Sequence, residues 1–132
     1  MGFLAVLLAA LGGFAVGAVW YMVLSKPWMK AANIPMRPDG KPDGNGSALP
    51  FLLSAIAMII VAGMMRHVFA MAGIDTIDKG LISGLGIGAF FIAPWTMINN
   101  AYGMRPFSLT MIDSGYAILG CGVIGTILTT LG

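Results

Sequence analysis

Apolar side chains fall into four long blocks along this chain, separated by short polar stretches. The first block covers 25 residues without a charged side chain. A helix rises about 1.5 Å per residue, so about 20 apolar residues cross the hydrocarbon core of a membrane. The pattern therefore predicts an all-α fold, an integral membrane four-helix bundle. The predicted spans are about 2–24, 48–71, 79–98 and 107–131.

Prolines and capping residues mark some of the block ends. Ser47 is a predicted N-cap of span two, and Pro50 fits in the first turn of that helix. Pro94 predicts either a kink in span three or the beginning of its end. Residues 1–10 carry no Lys or Arg, whereas a secretory signal peptide opens with positive charge. We therefore expect the first block to be a retained helix.

The longest polar stretch is the loop at about 25–47, between spans one and two. Pro-Asp-Gly occurs in it twice, at 38–40 and 42–44, which predicts two successive turns. Its first half, Pro27–Met36, mixes Trp and Met with lysines, a composition that suits a short segment in the headgroup region. We predict a single membrane domain over residues 1–132.

Composition strengthens the membrane interpretation. The chain is 58% hydrophobic and 9% charged, against roughly 25% charged residues in an ordinary soluble domain. The net charge of +2 is spread along loops, without the clustering that nucleic-acid binding needs. The lipid bilayer is the first predicted partner, and nucleic acid is not one. A single cysteine, Cys121, excludes an intramolecular disulfide.

Basic residues beside the span ends predict the orientation. The side that carries the loop before span two and the loop before span four has five basic residues. The opposite side has two, Arg66 and Lys79. The positive-inside rule then places loop 25–47 in the cytoplasm and both termini outside. The five are Lys26, Lys30, Arg37, Lys41 and Arg105.

The same side gathers most of the polar and aromatic side chains near span ends. Asp113 is the most informative, because it lies about 10 Å along span four if that helix begins at Pro106. With Thr110, Tyr116 and Gly120 it forms a stripe on one helical face. The predicted polar cluster at this leaflet is Trp20, Tyr21, Asn99, Asn100, Arg105, Asp113 and Tyr116.

Two roles remain open for this cluster. An intramembrane carboxylate is a functional candidate by default, but Asp113 can also accept hydrogen bonds and only hold the helices together. No metal or cofactor is expected, because His67 is the only histidine and the chain contains no Glu. His67 and Asp113 belong to opposite leaflets, so no catalytic pair is predicted and we expect no enzyme.

Glycine repeats at four-residue spacing form a second signal. Small residues at this spacing let two helix backbones approach closely inside a membrane. Such positions serve either packing within the chain or an interface with another protein. The predicted helix-packing or interface residues are Gly13, Gly17, Gly80, Gly84 and Gly88.

Short motifs near both ends resemble one known family. They are Gly17-Ala18-Val19-Trp20-Tyr21, Lys26-Pro27-Trp28-Met29, Tyr102-Gly103-Met104-Arg105-Pro106 and Ile112-Asp113-Ser114-Gly115-Tyr116. Together they are similar to small bacterial membrane proteins catalogued as domain of unknown function 1761. The resemblance implies a four-span protein of the bacterial inner membrane and no established activity.

These features favour a non-catalytic accessory or assembly subunit that packs against a larger membrane complex or against itself. Glycine faces and the lack of catalytic motifs support this function. The alternative is a small oligomeric transporter or channel in which Asp113 binds a proton or an ion, although the polar side chains are few for such a path. A membrane enzyme acting on lipid or quinone is the least supported class.

Overall fold

The computed structural model describes residues 2–34, 38 and 48–131. Ser47 and most of the two predicted Pro-Asp-Gly turns lie outside this part of the chain. The described residues form helices and no strands. The helices are α1 (Gly2–Val23), α2 (Ser25–Ala32), α3 (Leu49–Ala72), α4 (Ile77–Ile87), α5 (Ala93–Tyr102) and α6 (Phe107–Leu131), with a π-helical turn at Gly88–Ile92 between α4 and α5.

Four stretches in the described chain are long and apolar enough to cross a membrane. They are α1, α3, α6 and the continuous stretch Ile77–Tyr102, which joins α4, the π turn and α5. The predicted fold class, an all-α membrane bundle, is confirmed. Their order along the chain places the end of α1, the beginning of α3 and the turn before α6 at one end of the bundle, and the turn after α3 at the other.

The third span continues through Pro94 and ends only at Tyr102. The π turn explains this continuity, because the Ala93 N–H bonds to the Gly88 carbonyl, five residues back. A wider turn in front of a proline accommodates its ring and its missing N–H. Pro94 therefore neither ends the span nor stops its hydrogen bonding.

Helix α6 is the centre of the fold. It packs against α1 on one side and against the third span on the other, and it also contacts α2 and α3. Helix α3 packs mainly on α1, and in the described residues α3 and the third span are not packed together. The main buried cluster joins α1, α3 and α6 through small and larger apolar side chains: Ala5, Val6, Ala9, Ala10, Ala62, Met65, Phe69, Cys121, Ile124 and Leu128.

Helix α2 follows α1 after only Leu24 and lies at the end of the bundle where α6 begins. Its residues Ala31 and Ala32 are buried against Leu109, and Trp28 packs beside them. Asn33 ends the helix in the left-handed conformation, with φ of 57°. The segment predicted for the headgroup region thus begins as a helix attached to the first turn of α6.

Candidate polar site between α1 and α6

The predicted polar cluster has its centre in a hydrogen bond between α1 and α6. The Tyr21 hydroxyl donates to Oδ1 of Asp113 at 2.6 Å. Tyr21 lies in the last turn of α1 and Asp113 in the second turn of α6. Both side chains are half-buried. The antiparallel contact of these helices places the two residues at the same depth.

A second tyrosine extends this contact toward the middle of the bundle. The Tyr116 ring meets the Tyr21 ring edge-on, with centroids 5.6 Å apart. Its hydroxyl donates to the Gly13 carbonyl oxygen at 3.0 Å and lies 3.4 Å from the Met58 sulfur on α3. Tyr116 thus joins three helices through one hydroxyl.

Two glycines make room for the aromatic side chains of this site. A Cβ on Gly17 would lie 2.7 Å from Cζ of Tyr116, and one on Gly115 would lie 2.5 Å from the Trp20 ring. The Trp20 indole N–H donates to the Ile112 carbonyl oxygen at 2.8 Å. Gly17 therefore makes room for the Tyr116 ring, and Gly115 makes room for the Trp20 indole against α6.

The remaining predicted members of the cluster lie at its edge. The Asn100 side-chain amide donates to the Thr110 hydroxyl at 3.1 Å, which joins α5 to α6. Asn99 and Arg105 have exposed side chains. Among the described residues, neither of these two side chains is hydrogen-bonded or ion-paired with Asp113. The structure thus brings Trp20, Tyr21, Asp113 and Tyr116 together and leaves Asn99 and Arg105 outside.

Glycines at the predicted spacing lie where α4 and the π turn touch α6. A Cβ on Gly84 would overlap the Cys121 carbonyl oxygen, and one on Gly88 would overlap the Ala117 carbonyl oxygen. A Cβ on Gly80 would lie 2.6 Å from the Gly125 carbonyl oxygen. The three glycines therefore pack within the chain, against a matching row of small residues on α6 that sequence reasoning missed. Its signal was the four-residue spacing of Ala117, Cys121 and Gly125.

One polar atom beside Asp113 was also missed. The Ser114 hydroxyl oxygen is fully buried and has no hydrogen-bond partner in the described structure. Serine in a membrane helix commonly bonds back to a carbonyl of the preceding turn. The sequence therefore gave no reason to expect that the Ser114 hydroxyl would lack this bond. Among the described residues, Ser114 is therefore the one with a buried side-chain polar atom that has no hydrogen-bond partner.

The chemistry available in the described part of the chain is hydrogen bonding at helix contacts. Within residues 2–34 and 48–131, no group of three His, Cys, Asp or Glu side chains is placed to hold a metal ion. Two shallow grooves are apolar. One, of about 210 Å³, lies between α4 and α6 beside Leu85 and Val123; the other, of about 290 Å³, lies between α1 and α3 beside Phe14 and Ile59.

Four apolar spans, two of which are joined by side-chain hydrogen bonds, define an α-helical multi-pass membrane protein. The chain belongs to the family described as protein of unknown function, DUF1761, whose model matches residues 4–129. The resemblance noted in the sequence is thus confirmed. No curated protein and no solved structure matches the chain.

Proposed function

We propose that this protein is a non-catalytic accessory or assembly subunit that packs against a larger membrane protein complex or against a second copy of itself. The observation that carries the proposal is the exposed apolar surface on the first half of α3. The buried residues of α3 are Ala62, Met65 and Phe69, all in the second half. The first half presents Phe51, Leu52, Leu53 and Ile56 as exposed side chains.

The use of polar side chains inside the membrane supports the same proposal. Asp113 accepts from Tyr21, and Tyr116 and Trp20 donate to backbone carbonyls of neighbouring helices. Such bonds hold helices together in lipid, where each unsatisfied polar group costs several kcal/mol. Groups engaged in this way add to the rigidity of a subunit and leave few to build a path for ions.

Site-specific photo-crosslinking in native membranes tests the proposal. A photoreactive residue at Leu53 on α3 is compared with one at Ile82 on α4, because both side chains are exposed and apolar. We expect a discrete protein adduct from position 53, identified by mass spectrometry as another subunit or a second copy. Adducts with lipid alone from both positions would contradict the proposal.

The alternative is a small oligomeric transporter or channel with Asp113 as the proton- or ion-binding group. It is favoured by the depth of Asp113 and by the unpartnered Ser114 hydroxyl beside it. We expect proteoliposomes of the wild type to show no pH- or cation-dependent flux above empty vesicles. Flux that disappears in Asp113→Asn, at unchanged protein content, would replace the accessory role with the transport role.

We also propose that the membrane is the bacterial inner membrane, with both termini on the periplasmic side. The distribution of basic residues along the chain supports this orientation, with five in the segments between α1 and α3 and between α5 and α6, and two beside the turn after α3. The family resemblance supports the bacterial membrane.

A further inference from the structure

Helix α2 has one face fixed to the protein and one face free. Met29, Ala31 and Ala32 are buried, the two alanines against Leu109 of α6. Lys26 and Lys30 are exposed, and residues four apart on a helix lie side by side. The two ammonium groups therefore leave α2 in the same direction, away from the helix pair that holds it.

The position of α2 fixes the level at which these charges lie. Leu109 is the third residue of α6, so α2 packs within about 5 Å of the start of that span at 1.5 Å per residue. The headgroup region of a bilayer leaflet is itself about 5–7 Å deep. Trp28 of α2 adds an aromatic side chain of the type enriched at this level, packed edge-on against Tyr21 at 5.8 Å.

Among the described residues, the excess of positive charge lies at this end of the bundle. It has three described basic residues, Lys26, Lys30 and Arg105, and one described acid, Asp113, whereas the other end has two of each. Arg105, in the turn before α6, is exposed as well. Among the described residues no ion pair neutralises Lys26, Lys30 or Arg105, and the described acid at this end, Asp113, is bonded to Tyr21.

We propose that α2 is a membrane-surface helix whose Lys26 and Lys30, with Arg105, bind the headgroups of anionic phospholipids. Lipid is favoured over an acidic protein because the lysines lie at headgroup level, and because the apolar face of α2 is already occupied by α6. Phosphate oxygens are strong acceptors for ammonium and guanidinium groups. This lipid contact is independent of the accessory or transport role proposed above.

Spin-labelled lipids test the proposal with the full chain reconstituted in phosphatidylcholine vesicles. The association of spin-labelled phosphatidylglycerol is measured relative to spin-labelled phosphatidylcholine, for the wild type, Lys26→Gln, Lys30→Gln and the double variant. Lys79→Gln is the matched control, since Lys79 is an exposed lysine at the opposite end. All of these lysines are exposed, so the helical content measured by circular dichroism should not change.

We expect the wild type to prefer phosphatidylglycerol and each α2 lysine variant to lower the preference by up to about fivefold. The preference should also fall when salt shortens the Debye length, and Lys79→Gln should retain it. A wild type that does not distinguish the two lipids would overturn the proposal. So would an equal loss in Lys30→Gln and Lys79→Gln, or an acidic protein that co-purifies with the wild type and is lost in the double variant while lipid preference is unchanged.

Discussion

At the scale of single residues, the carboxyl group of Asp113 and the hydroxyl of Tyr21 satisfy one another inside a membrane span. The 2.6 Å separation of the two oxygens is typical of an O–H donor bonded to a carboxylate. Interhelical hydrogen bonds in membranes contribute about 0.6 kcal/mol on average and up to about 1.7 kcal/mol. The pair therefore stabilises the α1–α6 contact modestly.

Replacing either partner should weaken the contact. Tyr21→Phe removes the donor and Asp113→Leu removes the acceptor, and we expect each to lower the free energy of unfolding by about 1 kcal/mol or more. Asp113→Asn keeps one acceptor oxygen and should be milder. Unfolding titrations in mixed micelles measure these differences, and the Tyr21→Phe/Asp113→Leu double-mutant cycle isolates the energy of the interaction between the two side chains.

Tyr102→Phe provides the control, because Tyr102 is 88% exposed and its hydroxyl makes no hydrogen bond to a described residue. It should leave stability unchanged. If Tyr21→Phe and Tyr102→Phe behave alike, the hydrogen bond to Asp113 does not contribute to the fold.

The sequence predicts which residues meet at this leaflet better than it predicts which of them bond. Asp113 and Tyr21 are found from their depth and from the topology, because antiparallel spans bring their ends together. The acceptor of Tyr116 is the carbonyl oxygen of Gly13, which no side-chain pattern marks. Arg105 was grouped with Asp113 because the topology places both at the same leaflet, but it precedes Pro106 in the turn outside α6, and its side chain is exposed.

At the scale of helices, α4 and α6 touch through their backbones. Gly80 and Gly84 are buried against α6, and the carbonyls of Cys121 and Gly125 occupy the space that side chains would need. Contact this close gives van der Waals packing in a solvent that provides no hydrophobic driving force between helices. Cys121 fits this row because its side chain is small, and it is buried.

A leucine at this contact should force the two helices apart. We expect Gly84→Leu to lower the free energy of unfolding by about 2 kcal/mol, the typical effect of overpacking. Gly86→Leu is the matched control on the same helix, since a Cβ there meets only the Phe90 ring, at 3.9 Å. Thermal unfolding in detergent, followed by circular dichroism, measures both.

Equal stability of Gly84→Leu and Gly86→Leu would contradict the backbone contact between α4 and α6. Glycine spacing in the sequence predicts such a surface but not its partner. A row of glycines can pack against another chain as well as against a neighbouring helix. The small residues at 117, 121 and 125 identify α6 as the partner of α4, because they leave room for the close contact.

At the scale of the whole molecule, the number of spans follows from the sequence and their arrangement does not. Length and apolarity identify a span, because lipid must surround it. Leu, Ile and Val face lipid and protein equally well, so the pattern carries no signal that α6 lies in the centre or that α3 and the third span are apart.

The orientation of the molecule is testable at exposed positions of two connections. Ala48→Cys and Thr76→Cys place thiols at opposite ends of α3 and its following turn, and both residues are exposed. In intact bacterial cells, a membrane-impermeant maleimide should label position 76 and leave position 48 unlabelled. Both variants are made in the Cys121→Ala protein, which lacks the native thiol, so that labelling reports only on the introduced cysteine. Labelling at position 48 alone would reverse the proposed orientation.

The central place of α6 has a consequence for how the chain is made. A ribosome delivers helices in chain order, so α6 enters the membrane after the other three spans. Until then α1 and α3 have only one another, and the third span has no helix to pack against in the described contacts. Until α6 is inserted, the glycine surface of α4 and the Tyr21 hydroxyl therefore lack the helix that they contact in the folded protein. A nascent chain interrupted before α6 presents these unsatisfied surfaces to the quality-control proteases of the membrane.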